Sequence, residues 1–185
     1  MNPRDDIPAM PAPDGDASPW DGLEPSGAGL TVDNFLTTRM SQAISLLRRT
    51  VTLPYAKAAG LTVSEWRILS LVSHAQRIAF ALLVQQSSSD KALVSRTVRL
   101  LESRGLVRTE SEGPTPRKRL TVFITPEGDA LHARVIDIAR ERQAAMIRVM
   151  TPEERRGMYH GLTKLIAQCR AQGVADEDGA DGADA

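Results

Sequence analysis

The sequence is poor in the residue types that most often carry redox, metal or membrane chemistry. Its 185 residues include one cysteine, three histidines, three Phe, two Tyr and two Trp. Cys169 has no partner for an intramolecular disulfide, which suits a reducing compartment. No apolar run approaches the roughly 20 residues of a membrane-spanning helix, and MNPRDDIPAM lacks the pattern of a secretory signal. We therefore expect a cytoplasmic protein without membrane contacts.

Motifs of catalysis and metal binding are also missing. The sequence has no glycine-rich phosphate loop, no HExxH and no recognisable nucleophile motif. His74, His132 and His160 are far apart, and Asp129 with His132 supplies only two ligands. We predict that the protein is not an enzyme and uses neither a metal nor another cofactor.

The net charge of zero hides an uneven distribution. Residues 1–29 carry six acidic side chains and only one basic one, Arg4, and residues 173–185 carry five acidic side chains. Residues 30–172 contain 22 Lys and Arg against 12 Asp and Glu. A basic body favours nucleic-acid binding because cations neutralise phosphates. The two acidic ends lack periodicity, and we predict disordered tails.

Hydrophobic periodicity predicts six helices between these tails. The first runs from Thr31 until Pro54 kinks or ends it. A capping box at residues 62–65 opens the second, and the third is predicted at 77–86. The fourth runs from Asp90 to about Ser103, with left-handed Gly105 after it. The last two begin at Thr125-Pro126 and at the capping box of residues 151–154, and the sixth ends near Gln172.

The helix predicted at 90–103 has two unlike faces. Val94, Val98 and Leu101 form an apolar stripe that Leu93 and Leu100 widen. The opposite face presents Lys91, Ser95, Arg96 and Arg99. Such a face suits the major groove, because arginine can contact guanine and hydroxyls can contact phosphates. An ordinary amphipathic helix with a solvated basic face is the alternative interpretation of this segment alone.

Two predicted strands follow this helix. They span Leu106–Ser111 and Arg119–Thr125, and the second alternates apolar residues. A longer loop joins them and carries the cations Arg117, Lys118 and Arg119, which could lie on phosphate or in the minor groove. A groove-reading helix beside a hairpin is the layout of a winged helix-turn-helix.

Four motifs occur in an order and spacing that resemble the MarR family of bacterial transcriptional regulators. They are LTVSEWRIL (61–69), DKALVSR (90–96), LESRGLV (101–107) and ITPEG (124–128). The resemblance implies a mainly α fold with a small β-hairpin wing (α+β). It also implies a homodimer in which residues 30–60 and 126–172 form dimerisation helices and residues 61–125 form the DNA-binding domain.

The resemblance assigns the DNA-contacting positions one by one. It places Asp90 and Lys91 at the start of the recognition helix and Ser95 and Arg96 on its groove face. The chain departs from the family pattern at the wing, where Pro116 and Lys118 replace an Asp-x-Arg pair, and at Ser87, which is usually apolar. The complete set of predicted DNA-binding residues is Ser89, Asp90, Lys91, Ser95, Arg96, Arg99, Arg117, Lys118 and Arg119.

The resemblance further implies that small molecules, often aromatic or phenolic anions, or oxidants release the DNA. Candidate ligand-binding residues are Trp66, Arg67, His74 and Arg48, with Arg49 beside them. Core packing is the favoured interpretation of Trp66, and a solvated face or DNA-backbone contact that of the two adjacent arginines. Cys169 does not match the position of the family's peroxide-sensing cysteine.

Together these patterns predict a cytoplasmic, homodimeric transcriptional regulator, most simply a repressor released by a small-molecule effector. Its two recognition helices would lie roughly 34–36 Å apart and bind an inverted repeat in double-stranded DNA. The alternative is a winged-helix module that contacts an acidic protein, or an anti-regulator, without reading DNA.

Overall fold

The computed structural model describes residues 18–113 and 119–180, which divide into two units at Arg49 and Thr50. The first unit contains turns at 18–30, a short 3-10 helix at Val32–Asn34 and helix α1 at Leu36–Leu47. The Trp20 indole Nε1 donates a hydrogen bond of 2.7 Å to the carbonyl of Asn34, which ties the turns to the 3-10 helix. No residue of α1 is buried.

The second unit is a helical domain with a small antiparallel sheet of strand order β1-β3-β2. The predicted fold class, mainly helical with a small β wing, is confirmed. Its elements are α2 (Leu53–Ala58), α3 (Val63–Ala75), β1 (Arg77–Ala79), α4 (Phe80–Ser87), α5 (Lys91–Ser103), β2 (Val107–Glu112), β3 (Arg119–Ile124), α6 (Pro126–Ile147) and α7 (Pro152–Ala180). No helix of the described residues is long and apolar enough to cross a membrane.

The helix that begins at Leu36 ends before Pro54, at Leu47, rather than at the proline itself. A π-helical segment, Arg48–Thr52, follows α1, and Pro54 is the second residue of α2. Proline is tolerated there because N–H groups in the first helical turn need no partner within the helix. The wider π turn accommodates the change from one helix to the next.

The third predicted helix begins three residues later than expected, because residues 77–79 form strand β1. Gln76, in a left-handed conformation with φ 61°, ends α3 and redirects the chain. Ile78 is buried and lies opposite Val122 of β3, while both of its neighbours are exposed. The sheet therefore has three strands where the sequence predicted a hairpin.

The core of the second unit lies where α3, α4 and α5 meet the inner face of the sheet. Leu69, Leu83, Leu101 and Val122 come from these four elements and are fully buried. Each buried aliphatic side chain contributes roughly 1.5–3 kcal/mol to folding. This core holds α5 against the sheet and leaves its outer face to solvent.

Both predicted capping boxes are confirmed. Thr62 and Glu65 exchange hydrogen bonds of 2.8 and 3.1 Å at the start of α3, and Thr151 and Glu154 do the same before α7. The Glu65 carboxylate also pairs with Arg104 at 3.1 Å. Burial raises the pKa of Glu65, but the hydrogen bonds from Thr62 and the Arg104 guanidinium outweigh it, and the pKa lies below its ordinary value.

The ITPEG motif connects the wing to α6 through two close contacts. The Thr125 hydroxyl donates to the Gly105 carbonyl at 2.6 Å and accepts from the Gly128 N–H at 3.0 Å. A Cβ atom at Gly128 would overlap the carbonyl oxygen of Leu106. Glycine is therefore required at this position by the approach of the backbone, and the predicted start of α6 is confirmed.

Helix α7 is longer than predicted. The sequence suggested an end near Gln172, followed by an irregular acidic tail, whereas the helical backbone continues to Ala180. Adding residues to an existing helix avoids the cost of nucleation, so α7 can extend through a segment that shows no periodicity of its own.

Candidate nucleic-acid interface

The start of α5 is fixed by side chains of the preceding turn. The chain leaves α4 through Ser88 in a left-handed conformation, with φ 51°. Asp90 is the N-cap, and its Oδ1 accepts from the Leu93 N–H at 2.8 Å. The Ser89 hydroxyl donates to the Ser87 carbonyl at 3.3 Å. Two of the predicted DNA-contacting residues thus have a local structural role at the helix N-terminus.

The buried stripe of α5 differs from the predicted one at two positions. Val94, Val98 and Leu101 are buried as expected, but Leu100 is 49% exposed. Thr97 is buried instead, and its hydroxyl donates to the Leu93 carbonyl at 2.8 Å. This bond satisfies the only polar group of the side chain, so a threonine can occupy a core position one turn before Leu101.

The opposite face of α5 is basic and open. Lys91, Arg96 and Arg99 are exposed, and Ser95 is half-buried beside them. Within residues 18–113 and 119–180, none of the ion pairs involves these three cations. One helix face therefore presents three charges that no neighbouring carboxylate neutralises, as a phosphate-binding or base-reading surface requires.

A carboxylate joins this helix to the wing. The Glu102 Oε1 atom accepts from the Thr109 N–H at 2.8 Å and from the Thr109 hydroxyl at 2.7 Å. The last turn of α5 is thereby held against the first part of β2. This contact could not be predicted from the sequence, where its one sign is an acidic residue at the end of an otherwise basic helix.

The wing strands pair as predicted, with Val107 opposite Ile124 and Glu112 opposite Arg119. Arg119 is exposed where β3 begins, next to the loop. Arg117 and Lys118, together with Pro116, lie outside the described residues. The structure adds one cation that the sequence analysis did not single out. The Arg108 guanidinium lies 4.0 Å from the Phe123 ring centroid and pairs with Glu110.

Trp66 lies in the core, in agreement with the packing interpretation. It is 6% exposed, its ring meets Tyr55 edge-on at 5.6 Å, and it stacks on His132 at 5.3 Å. Arg67 and His74, two other candidate ligand residues, are exposed on α3. Arg48 and Arg49 are exposed and belong to the first unit.

His132 is part of a hydrogen-bonded group between α3 and α6. The Ser73 hydroxyl donates to Asp129 Oδ1 at 2.6 Å, so it accepts from the His132 Nδ1–H at 3.1 Å. Burial lowers the pKa of His132, as do the charges of Arg140 and His74, while Asp129 acts in the opposite direction. Among the residues that the structure describes, no three His, Cys, Asp or Glu side chains form a metal site.

Comparisons with known proteins point to one family. Residues 59–118 match the sequence model of the MarR family. A MarR-family transcriptional regulator from Silicibacter pomeroyi is 28% identical, with a TM-score of 0.55 over 72% of this chain and 86% of that one. No curated protein matches the chain.

Two further solved structures share the fold. NadR in complex with 4-hydroxyphenylacetate has 22% identity and a TM-score of 0.62, covering 74% of this chain and 95% of that one. A cysteine-to-serine variant of E. coli MarR bound to operator DNA has 17% identity and a TM-score of 0.63, with coverage of 74% and 99%. The alignments span nearly the full length of NadR and of MarR, and about three quarters of this chain.

Proposed function

We propose that this chain, which carries a MarR-family winged helix, is a sequence-specific DNA-binding transcriptional regulator. The observation that carries the proposal is the unneutralised basic face of α5 beside the wing. A helix whose inner stripe is anchored in a core, and whose outer face presents Arg and Lys, can enter the major groove without rearranging the fold.

Each cation of this surface has a proposed role. Arg96 and Arg99 lie in the middle of the exposed face of α5, where side chains reach base edges. Lys91, in the first turn, and the wing residues Arg117, Lys118 and Arg119 bind phosphates or the minor groove. Ser95 donates a hydrogen bond to a phosphate or a base edge. Ser89 and Asp90 act indirectly, by setting where the helix begins.

The regulator is proposed to act as a homodimer. The surface of α1 and the last part of α6 expose large apolar side chains, among them Leu36, Ile44 and Ile147. Pairing across a two-fold axis would remove these side chains from water and place two copies of α5 one DNA turn apart. The operator would then be an inverted repeat, and occupying it would repress transcription.

A small-molecule effector is proposed to release the DNA. NadR, which shares the fold, has been crystallised with a phenolic carboxylate, 4-hydroxyphenylacetate. For this chain we propose a small aromatic or phenolic ligand bound by Trp66, Arg67 and His74 of α3. We also propose that the protein works in the cytoplasm, uses no cofactor and catalyses no reaction.

The test begins with selection of binding sites from random DNA, followed by fluorescence anisotropy on the selected duplex. Arg96→Ala should weaken binding by about 1–3 kcal/mol and relax the preference at one base pair of each half-site. Arg140→Ala is the matched control, because it removes another exposed arginine, on α6, whose ion pair among the described residues is with Asp137.

If Arg96→Ala and Arg140→Ala bound the selected duplex alike, α5 would not be the recognition helix. If selection enriched no sequence at all, the protein would act as a winged-helix module that contacts a protein partner.

A further inference from the structure

One large apolar side chain lies uncovered on the outer side of α5. Leu100 is 49% exposed, whereas Val98 and Leu101 of the same helix are 3% and 0% exposed. Leu100 follows Arg96 by four residues, so the two side chains lie one helical turn apart on the same side of the helix. Arg99, directly before it, is exposed as well. The surface that is proposed to meet DNA therefore contains one apolar group among its charges.

The inner side of α5 is complete without this leucine. Thr97 fills the buried position one turn before Leu101, with its hydroxyl bonded to a backbone carbonyl. Arg104, one turn after Leu100, turns instead to Glu65 of α3, at 3.1 Å. Leu100 thus keeps apolar surface in water, and covering that surface with another apolar group is favourable.

The major groove of DNA offers one apolar group, the C5-methyl group of thymine. The edges of guanine, adenine and cytosine present hydrogen-bond donors and acceptors there. A leucine pressed against those polar edges would remove them from water without replacing their hydrogen bonds, which is unfavourable. Leu100 can therefore distinguish thymine from the other bases by a contact that the arginines of α5 do not supply.

We propose that Leu100 packs on the C5-methyl group of a thymine in each half-site and makes the protein prefer T·A at that base pair. This inference rests on the proposed function, because it requires α5 to lie in the major groove. One turn of an α-helix advances about 5.4 Å and one base pair about 3.4 Å, so the thymine should lie within about two base pairs of the one that Arg96 reads.

Deoxyuridine substitution in the selected duplex tests the proposal, because uracil lacks only this methyl group. Each thymine of one half-site is replaced in turn, and fluorescence anisotropy measures the affinity of the full chain. We expect one position at which the wild-type protein loses about fourfold in affinity, which corresponds to one buried methyl group.

Variants of α5 assign this loss to a side chain. Leu100→Ala should bind the unsubstituted duplex roughly tenfold more weakly and should no longer respond to deoxyuridine at that position. Leu100→Met, of similar volume, should keep the response, and so should Arg96→Ala. Leu82→Ala is the matched control, because it removes a leucine that is 43% exposed on α4. Circular dichroism checks that each variant is folded.

Equal losses on deoxyuridine substitution for the wild type and Leu100→Ala would overturn this inference and leave DNA recognition by α5 intact. A selected half-site without thymine would do the same. Selection that enriches no sequence would instead overturn the proposed function, and this inference with it.

Discussion

At the scale of single residues, the threonine and the glycine of the ITPEG motif (124–128) each have a structural role of their own in this fold. Gly128 is needed because the carbonyl of Leu106 occupies the space that a Cβ would take. Thr125 is needed because one hydroxyl both caps α6 and binds the carbonyl of Gly105. The motif therefore marks the point where the wing returns to the helical body.

Gly128→Ala should destabilise the protein by about 2–4 kcal/mol, because the overlapping Cβ must displace packed backbone. Gly157→Ala is the control. Gly157 is an exposed position of α7 with open space around its Cα, and alanine there should raise stability by up to about 1 kcal/mol. Urea unfolding of both variants measures the difference. Equal free energies of unfolding for the two variants would contradict this, because they would show that the backbone near Leu106 makes room for the Cβ without cost.

His132 gives the stability of the fold a predictable pH dependence. Its pKa is lowered from 6.5 in the folded protein, so the unfolded chain binds the proton more readily. The contribution of the neutral side chain is complete above pH 6.5 and is lost as the pH falls through the folded pKa. His132→Gln should flatten the free energy of unfolding between about pH 7 and pH 5. Profiles of equal slope for the variant and the wild type would contradict the account.

At the scale of elements, the decisive contact is the one that joins α5 to β2. The hydrogen bonds that Thr109 donates to Glu102 hold β2 against the last turn of α5. The beginning of β2 is held at two points, by this contact and by the turn through Gly105, and β3 pairs along the whole strand.

Thr109→Val keeps the branched shape of the side chain and removes the hydroxyl bond to Glu102. We expect a loss of about 1 kcal/mol in the free energy of unfolding. Ser103→Ala is the control, since its exposed hydroxyl only donates to the Leu100 carbonyl of its own helix. If urea unfolding showed the same loss of free energy of unfolding for both variants, the bond between α5 and β2 would stabilise the fold no more than a bond within one helix.

Much of this arrangement follows from local sequence. The capping boxes and the glycine after α5 are short-range patterns, and the structure confirms both. The alternation predicted for β3 is only partly present, because Val122 is buried while Leu120 and Ile124 are half-buried like their neighbours. Strand β1 could not be predicted, because three residues are too few to show a period and Phe80 continues an apolar helical run. The partners of Glu102 and Ser73 lie 7 and 56 residues away, so only the fold reveals them.

At the scale of the whole molecule, the proposed homodimer would cover apolar side chains of α6 that are exposed in the single chain. Ile147, near the end of α6, is 50% exposed, and Leu82 on α4 is 43% exposed. We expect the wild-type protein to sediment as a dimer of about twice the chain mass of 20.1 kDa. Ile147→Asp should produce folded monomers, because it places a charge at the proposed interface.

Leu82→Asp is the control, because Leu82 lies on α4, in the predicted DNA-binding domain and outside the predicted dimerisation helices. It should leave the sedimentation coefficient unchanged. A dimer that survives Ile147→Asp, or one that Leu82→Asp dissociates, would show that the interface lies elsewhere. Circular dichroism of each variant excludes loss of helix as the cause.

The central claim is that this chain reads DNA through α5 and the wing. The most direct measurement is fluorescence anisotropy of the wild-type protein on the selected duplex and on a scrambled duplex, over a salt series. We predict affinity at least about a thousandfold higher for the selected duplex, and a steep loss of affinity with salt on both. Equal affinity for the two duplexes at every salt concentration would contradict the account.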